Sequence, residues 1–394
     1  MQNTKQRQNI PKGWQRTKLG DISNITNGKT NTQDAVVDGE FPLFDRSVAI
    51  KRSNKYLFDD TVVILPGEGA EFIPRYYSGK FDLHQRAYAI FPKENTDPSF
   101  LFQYLYAKRG DFVQKSVGST VKSLRLPIIQ SIDVFLPPLP EQKKIAEILE
   151  AVDEEIQKTD EIISATEKLK NGLMQQLFTR GIGHTKFKKT AVGEMPAEWQ
   201  IIKLGEVAMI TRGGSPRPIE SFITSDDNGL NWLKIGDIEL GAKYIQHTSQ
   251  KIKKSGLSKT TIVHVGDFIL SNSMSFGRPY ILKIDACIHD GWLAFKDIKT
   301  NLISSDFLYY LLSSKGLQDN FLAIAAGSGV KNLKKESVSN VTVALPSINE
   351  QKKISEILSA VGEKISINQK QKEKLTLLKK GLMQDLLSGR KRTI

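Results

Sequence analysis

Glu141-Gln142-Lys143 has the spacing of the Glu-x-Lys half of a nuclease site, where a carboxylate and an ammonium serve a metal and an attacking water. The tripeptide recurs at Glu350-Gln351-Lys352, each time close behind a proline, and no Pro-Asp partner precedes either copy. It therefore reads as the start of a helix. An adenine methyltransferase needs an Asn/Asp-Pro-Pro-aromatic box, but Pro137-Pro138 stands between Leu136 and Leu139. Gly67-Glu68-Gly69 is a short match to a cofactor loop and reads as a turn, and no GxxxxGK[ST] loop for a nucleotide triphosphate is present. The histidines are His84, His184, His247, His264 and His289, and none has metal-ligand spacing to another His or to Cys287. His84 (LHQRAYAIF) and His289 (IHDGWLAF) occupy similar places, which leaves two readings open: a turn or core histidine, or one on a ligand-facing loop.

With catalysis unsupported, charge is the next guide. The net charge is +13 and the isoelectric point about 9.4, which favours a polyanionic partner. The charge is unevenly spread: residues 21–135 hold 14 basic and 14 acidic residues, and residues 206–345 hold 16 and 13. Phosphate or base contacts must then come from local clusters. The candidates are Lys51, Arg52, Arg75, His84, Arg86 and Lys122 in the first half, and Arg212, Arg217, Lys251, Lys253, Arg278, His289, Lys331 and Lys334 in the second. Lys122 and Lys331 follow matching Gly-Ser stretches and are expected to be equivalent; the loops around Arg75, His84 and Arg86, and around Arg278 and His289, are expected to carry base readout. The tail Arg390-Lys391-Arg392 reads as a disordered end. A single cysteine excludes an intrachain disulfide and a Cys-based zinc site. No signal-like or membrane-length apolar run occurs, so a soluble, cytoplasmic protein is expected.

The elements that must position these residues come from a duplication. EQKKIAEIL at 141–149 returns as EQKKISEIL at 350–358, an offset of 209, and the same offset relates Gly172-Leu173-Met174-Gln175 to Gly381-Leu382-Met383-Gln384. Upstream, Trp14 and Lys18-Leu19-Gly20 match Trp199 and Lys203-Leu204-Gly205 at an offset of 185, so the second copy is 24 residues longer. Thr61–Leu65 and Asp267–Leu270 read as strands, Ser99–Ala107 and Ser305–Leu312 as short helices, and Ser271-Asn272-Ser273-Met274-Ser275 as an exposed loop.

Behind each Glu-Gln pair, apolar residues recur every seven positions, through Ile145, Val152, Thr159, Thr166, Leu173 and Leu149, Ile156, Ile163, Lys170, Leu177. The second copy runs through Ile354, Val361, Asn368, Leu375, Leu382 and Leu358, Ile365, Lys372, Lys379, Leu386. This predicts two long helices of about 38 residues with a coiled-coil seam. Lys372 and Lys379 are expected to send their ammonium groups to water. Gly172 and Gly381 are expected to mark a close backbone approach or a bend. Residues 136–180 hold 6 basic and 9 acidic residues and residues 346–394 hold 11 and 5, so the helices attract each other and antiparallel pairing within the chain is predicted.

The fold class is therefore α+β: two mixed α/β domains (1–137 and 181–345) alternating with two long helices (138–180 and 346–394) in a pseudo-twofold repeat. This arrangement, with Leu136-Pro137-Pro138-Leu139-Pro140-Glu141-Gln142 and Ile145, Leu345-Pro346 with Glu350-Gln351 and Ile354, and the two Trp-to-Lys-Leu-Gly openings, resembles the specificity subunit of Type I restriction-modification enzymes. The second copy departs from the family's Leu-Pro-Pro-Leu with Leu345-Pro346-Ser347-Ile348. The resemblance implies a non-catalytic, sequence-specific subunit binding double-stranded DNA, each recognition domain reading half of a bipartite, asymmetric site. It further implies two methyltransferase subunits that carry S-adenosylmethionine, two restriction subunits that carry ATP and magnesium, and helices that set the gap between half-sites. A coiled-coil scaffold joining two protein-binding domains is the rival reading; it leaves the basic clusters without a role.

Overall fold

The computed structural model describes residues 10–238, 241–272, 277–326 and 332–393. Two compact units emerge: residues 1–161 with 368–394, and residues 162–367. Each contains one mixed α/β domain, part of the central helix Leu139–Arg180 and part of the C-terminal helix Ile348–Leu386. These helices have 42 and 39 residues.

In unit 1 the strand Gln15–Lys18 pairs antiparallel with Asp133–Leu136, so the chain enters the domain beside the point where it leaves for the helix. A six-stranded sheet follows, in the order Ser23–Asn27, Ala87–Pro92, Phe58–Pro66, Arg75–Leu83, Phe41–Phe44, Lys51–Ser53. Its long central strands are β-branched and aromatic, and Val62, Val63, Ile64 and Leu65 are all buried. Helix Pro98–Ala107 is capped by Asp97, whose carboxylate accepts the Phe100 N–H, and packs Phe100, Leu101 and Tyr104 into the core. Ile145, Leu149, Met383 and Leu386 of the two long helices belong to that same core.

Unit 2 repeats this plan with additions. Gln200–Lys203 pairs antiparallel with Thr342–Leu345, and two five-stranded sheets replace the single sheet. Most of the extra length falls here: Gly213 to His289 is 20 residues longer than Gly28 to His84. The addition supplies the strand Ile223–Thr224, which pairs with Gln250–Ile252, and lengthens the connection between Leu230–Leu233 and Gln250–Ile252. The core joins Phe307, Leu311 and Trp199 to Met174, Leu177, Ile354 and Leu358 of the long helices. Ser271 and Asn272, expected on an exposed loop, are instead buried, because Ser271 ends the central strand Phe268–Ser271; residues 273–275 lie outside the described residues.

The Glu-Gln pair explains why both domains meet a helix in the same way. In unit 1, Trp14 Nε1 donates to Glu141 Oε2 at 3.0 Å; in unit 2, Trp199 Nε1 donates to Glu350 Oε2 at 3.1 Å. Gln142 accepts from Asp97 N at 2.8 Å and donates to Asn95 O and Pro137 O, while Gln351 accepts from Ser304 N at 2.9 Å and donates to Leu302 O and Pro346 O. Both glutamines are almost fully buried, so each bond satisfies a group that would otherwise be costly to desolvate.

The seam is antiparallel in unit 1: Asp153 meets Lys379 at 2.6 Å and Asp160 meets Lys372 at 2.6 Å, one helix running forward as the other runs back. In unit 2 the halves also lie together, a Cβ on Gly362 standing 3.7 Å from Lys170 Nζ. Lys379 does not reach for water as its stem allowed. Its side chain is 12% exposed, paired with Asp153 and seated over the Tyr106 ring at 4.8 Å. Thr159 and Thr166 satisfy their hydroxyls on their own helix, at Glu155 O and Ile162 O. The tail is likewise ordered where a disordered end was expected. Arg392 donates to both oxygens of the buried Glu141 carboxylate at 2.6 and 2.8 Å, and Arg390 and Lys391 both pair with Asp385.

Gly172 and Gly381 do not mark a close backbone approach, one of the two roles expected of them. Both are exposed inside unbroken helix, and a Cβ at either would meet nothing within 4 Å. No close approach requires glycine, so its backbone freedom only weakens the helices. Gly172→Ala and Gly381→Ala should each stabilise the protein by about 0.5–1 kcal/mol. Denaturant titration of the two variants checks this; a loss of stability would mean that these positions carry a constraint the packing does not contain.

Candidate nucleic-acid interface

Four loops of unit 1 converge at the ends of its sheet strands. They are the 45–50 hairpin tip, the 67–74 loop, the 84–86 turn and the 117–124 loop. Backbone bonds tie them: Gly67 N to Arg86 O at 2.9 Å, Leu124 N to Gly67 O at 2.8 Å and Gly69 N to Lys122 O at 3.1 Å. Gly67 is required by this crowding, since a Cβ there would stand 2.6 Å from Arg86 O. Glu68, held between the two glycines, accepts from Arg86 Nη1 at 2.7 Å and Arg46 Nη1 at 3.1 Å. Its carboxylate is 13% exposed while the guanidinium side chains are 60% and 57% exposed, so a sheltered anion fixes two cations that face solvent. Lys122 is exposed beside them.

Lys51, Arg52 and Arg75 are engaged by their own domain's loops. Lys51 pairs with Asp45 at 2.6 Å. Burial alone would raise the Asp45 pKa, but the bonds from Lys51 and Ser47 outweigh it and hold the carboxyl below its ordinary value. Arg52 donates to Gly39 O and Glu40 O, and Arg75 donates to Ser47 O and Val48 O with its guanidinium over the Phe44 ring. These three residues shape loops.

His84 and His289 share one turn. Arg86 N donates to His84 Nδ1 at 3.1 Å, and Gly291 N donates to His289 Nδ1 at 2.8 Å. In both, the N–H three residues on bonds back to the histidine carbonyl. Burial pushes both imidazole pKa values down, which favours the neutral ring, and because Nδ1 accepts a backbone N–H the neutral ring carries its proton on Nε2. The paired glycines Gly28 and Gly213 allow this turn to sit against the neighbouring strand: a Cβ would come 1.9 Å from Leu83 O in one and 2.0 Å from His289 O in the other. Both histidines sit in a turn, with the side chain positioning the residues that follow it.

In unit 2 the acid after this histidine is the hub. Asp290 Oδ1 accepts from Ser215 Oγ at 2.7 Å, Oδ2 lies 3.7 Å from Arg217 Nη2, and its carbonyl accepts from Arg212 Nε and Asn272 Nδ2. The Ser215 bond leads in holding its carboxyl below the ordinary pKa. Beside it lies a groove of about 750 Å³ lined by Arg217, Trp232, Lys234, Gln250 and His289. Lys251 and Lys253 donate to Asp227 O and Ser221 O, across the sheet edge. Arg278 is exposed next to Tyr280, and Lys334 is exposed at the start of helix Lys335–Ser339. Lys331, the counterpart of Lys122, lies outside the described residues.

Sequence reasoning missed Arg46, Glu68, Trp232 and Asp290. Two signals were available: an acid follows His289 directly, and an acid separates Gly67 and Gly69. Among the described residues, no group of three His, Cys, Asp or Glu side chains is placed to hold a metal, and no helix is long and apolar enough to cross a membrane.

The profile of the Type I restriction modification DNA specificity domain matches this chain twice, over residues 11–167 and 196–377. The chain belongs to that family. The two matches fall on the two copies of the duplication. The Type I restriction enzyme MjaVIII specificity subunit of Methanocaldococcus jannaschii is 27% identical over 407 residues, covering 97% of this chain and 93% of its own. The crystal structure of a Type I restriction-modification S subunit from M. genitalium aligns with a TM-score of 0.63 at 16% identity, over 98% of both chains. A chain from a type I restriction-modification system, solved to explain complex assembly and conformational transition, aligns at 0.60 with 18% identity, over 96% of this chain and 98% of its own. The family assignment makes the chain a sequence-specific DNA-recognition subunit of a restriction-modification complex, and the scaffold reading is set aside.

Proposed function

We propose that each unit reads one half of a bipartite, asymmetric DNA site, through the face carrying Arg46, Arg86 and Lys122 in unit 1 and the face carrying Arg212, Arg217, Arg278 and Lys334 in unit 2. The observation that carries this is the Arg46–Glu68–Arg86 cluster: two exposed guanidinium groups fixed by one sheltered carboxylate. A guanidinium held in place loses little freedom on meeting a guanine edge or a phosphate, and the neutral charge balance around it keeps the rest of the domain from adhering to every phosphate. Asymmetry of the site is supported by the dissimilar domains, built around a six-stranded sheet in unit 1 and two five-stranded sheets in unit 2.

The chain itself is read as non-catalytic. Glu141 and Glu350 are committed to Trp14 and Trp199 as parts of a helix start, which removes the one nuclease-like tripeptide from consideration. Methylation with S-adenosylmethionine and cleavage with ATP and magnesium then belong to partner subunits, in the cytoplasm where the DNA lies. Two methyltransferase copies are supported by the family resemblance and by the two copies of the repeat. Two restriction subunits follow from the family resemblance alone.

Lys122→Ala tests the phosphate side of this reading in the purified complex. Binding should weaken about equally for every DNA sequence, and the slope of log affinity against log salt should fall by about 0.9, the loss of one phosphate contact. An unchanged slope with an altered recognition sequence would overturn the assignment of Lys122 to the backbone.

A further inference from the structure

We propose that Val48, at the tip of the 45–50 hairpin in unit 1, enters the major groove and reads the methyl group of a thymine; this rests on the reading of the unit 1 face given above. Val48 is 86% exposed and Ile50 54%, with an exposed Ala49 between them. Single exposed apolar residues are ordinary on protein surfaces, so exposure alone means little. What distinguishes this tip is that its backbone is pinned. Asp45 is 3% exposed and accepts from Ser47 N at 2.8 Å and Lys51 Nζ at 2.6 Å. Arg75 reaches across from another strand to donate to Ser47 O and to Val48 O at 2.7 Å. Valine therefore cannot fold down onto the sheet, and a buried carboxylate and a guanidinium are used to hold an apolar side chain in water.

Chemistry narrows what the tip can recognise. Residues 48–50 have no polar side-chain atom, so these side chains form no hydrogen bond with a base edge. In the major groove the thymine C5-methyl is the apolar feature that distinguishes one base pair from the others. The flanking Arg46 and the nearby Arg86 supply the positive potential that brings such a tip to a duplex. Among the described residues, no matching tip follows the corresponding strand of unit 2. The strands that precede the two turns correspond, Phe44 pairing with Leu83 and Leu233 with Ile288, each one residue before the shared histidine. After Leu233 the chain instead makes a polar turn at Lys234, where Asp237 accepts the Lys234 N–H.

The test uses the full chain in complex with its methyltransferase partner and the site found by methylation mapping. Each thymine is replaced in turn by deoxyuridine, which lacks only the methyl group. One replacement, in one half-site only, should weaken wild-type binding about fourfold, the worth of one buried methyl. Val48→Ala should weaken binding to the unmodified site by a similar factor and abolish the difference between thymine and deoxyuridine there. Its melting temperature should match wild type, because the side chain packs on almost nothing. The proposal is overturned if no thymine shows sensitivity, or if Val48→Ala keeps the full sensitivity. Arg86→Ala separates the two levels: if it weakens binding while Val48→Ala does not, the tip alone is misassigned; if neither matters, this face does not meet DNA and both readings fall.

Discussion

Glu141→Ala should cost unit 1 about 3 kcal/mol or more. The carboxylate is fully buried and accepts from Trp14 Nε1 and from Nε and Nη2 of Arg392. Removing it leaves an indole N–H and a guanidinium in a site shaped for an anion, the situation in which breaking a buried pair is most damaging. Burial by itself would raise the Glu141 pKa, but Arg392 and Trp14 outweigh it and the carboxyl titrates below its ordinary value. Its contribution is therefore present above the ordinary glutamate range and lost as pH falls through the lower folded value. Glu350, the counterpart in unit 2, faces Trp199, the Ile182 N–H and His184 Nε2 instead of an arginine. Glu350→Ala should cost less, about 1–3 kcal/mol. Hydrogen exchange read separately in the two units resolves them. Equal losses, or a larger loss in unit 2, would contradict the role given to Arg392.

Arg86→Ala and Glu68→Ala should part affinity from specificity. Loss of an arginine that reads a guanine removes about 1–3 kcal/mol of discrimination at one base pair, roughly five- to a hundred-and-fiftyfold, and leaves the other half-site untouched. Glu68→Ala keeps both guanidinium groups but frees them and removes a negative charge. Non-specific binding should then rise while discrimination falls. Competition between the native site and single-mismatch duplexes at fixed salt measures both. If Glu68→Ala sharpened discrimination, the carboxylate would be a repulsive gate and not a brace.

The architecture was legible in the sequence because it is periodic and duplicated. Seven-residue spacing placed Ile145, Leu149, Ile354 and Leu358 on buried helix faces, and the 209-residue offset related the two Glu-Gln starts before any partner of either was known. The Lys372 and Lys379 pairings were not legible, because the acids they meet depend on an antiparallel register that a single strand of heptads does not encode. The candidate interface was legible only as a list of cations. Lys51 and Arg52 are neighbours in sequence, yet one turns to Asp45 and the other to the carbonyls of residues 39 and 40. Arg75 serves a loop far from it along the chain, and Glu68 joins Arg46 to Arg86 through contacts that only the folded sheet creates. Charge identifies residues that can bind phosphate; the direction of each side chain decides which of them is free to do so. The tail fails for a related reason. Arg392 is ordered because Glu141 needs a partner, and that need is invisible until Trp14 and Glu141 are seen to meet inside unit 1.

The central claim is that the two units read independent halves of one DNA site. The most direct measurement is methylation mapping, in the host, of a chain in which residues 21–135 are exchanged for the corresponding stretch of another family member. The account predicts that one half-site changes, while the other half-site and the gap between them stay as they were. A change in both half-sites, or in neither, would contradict it.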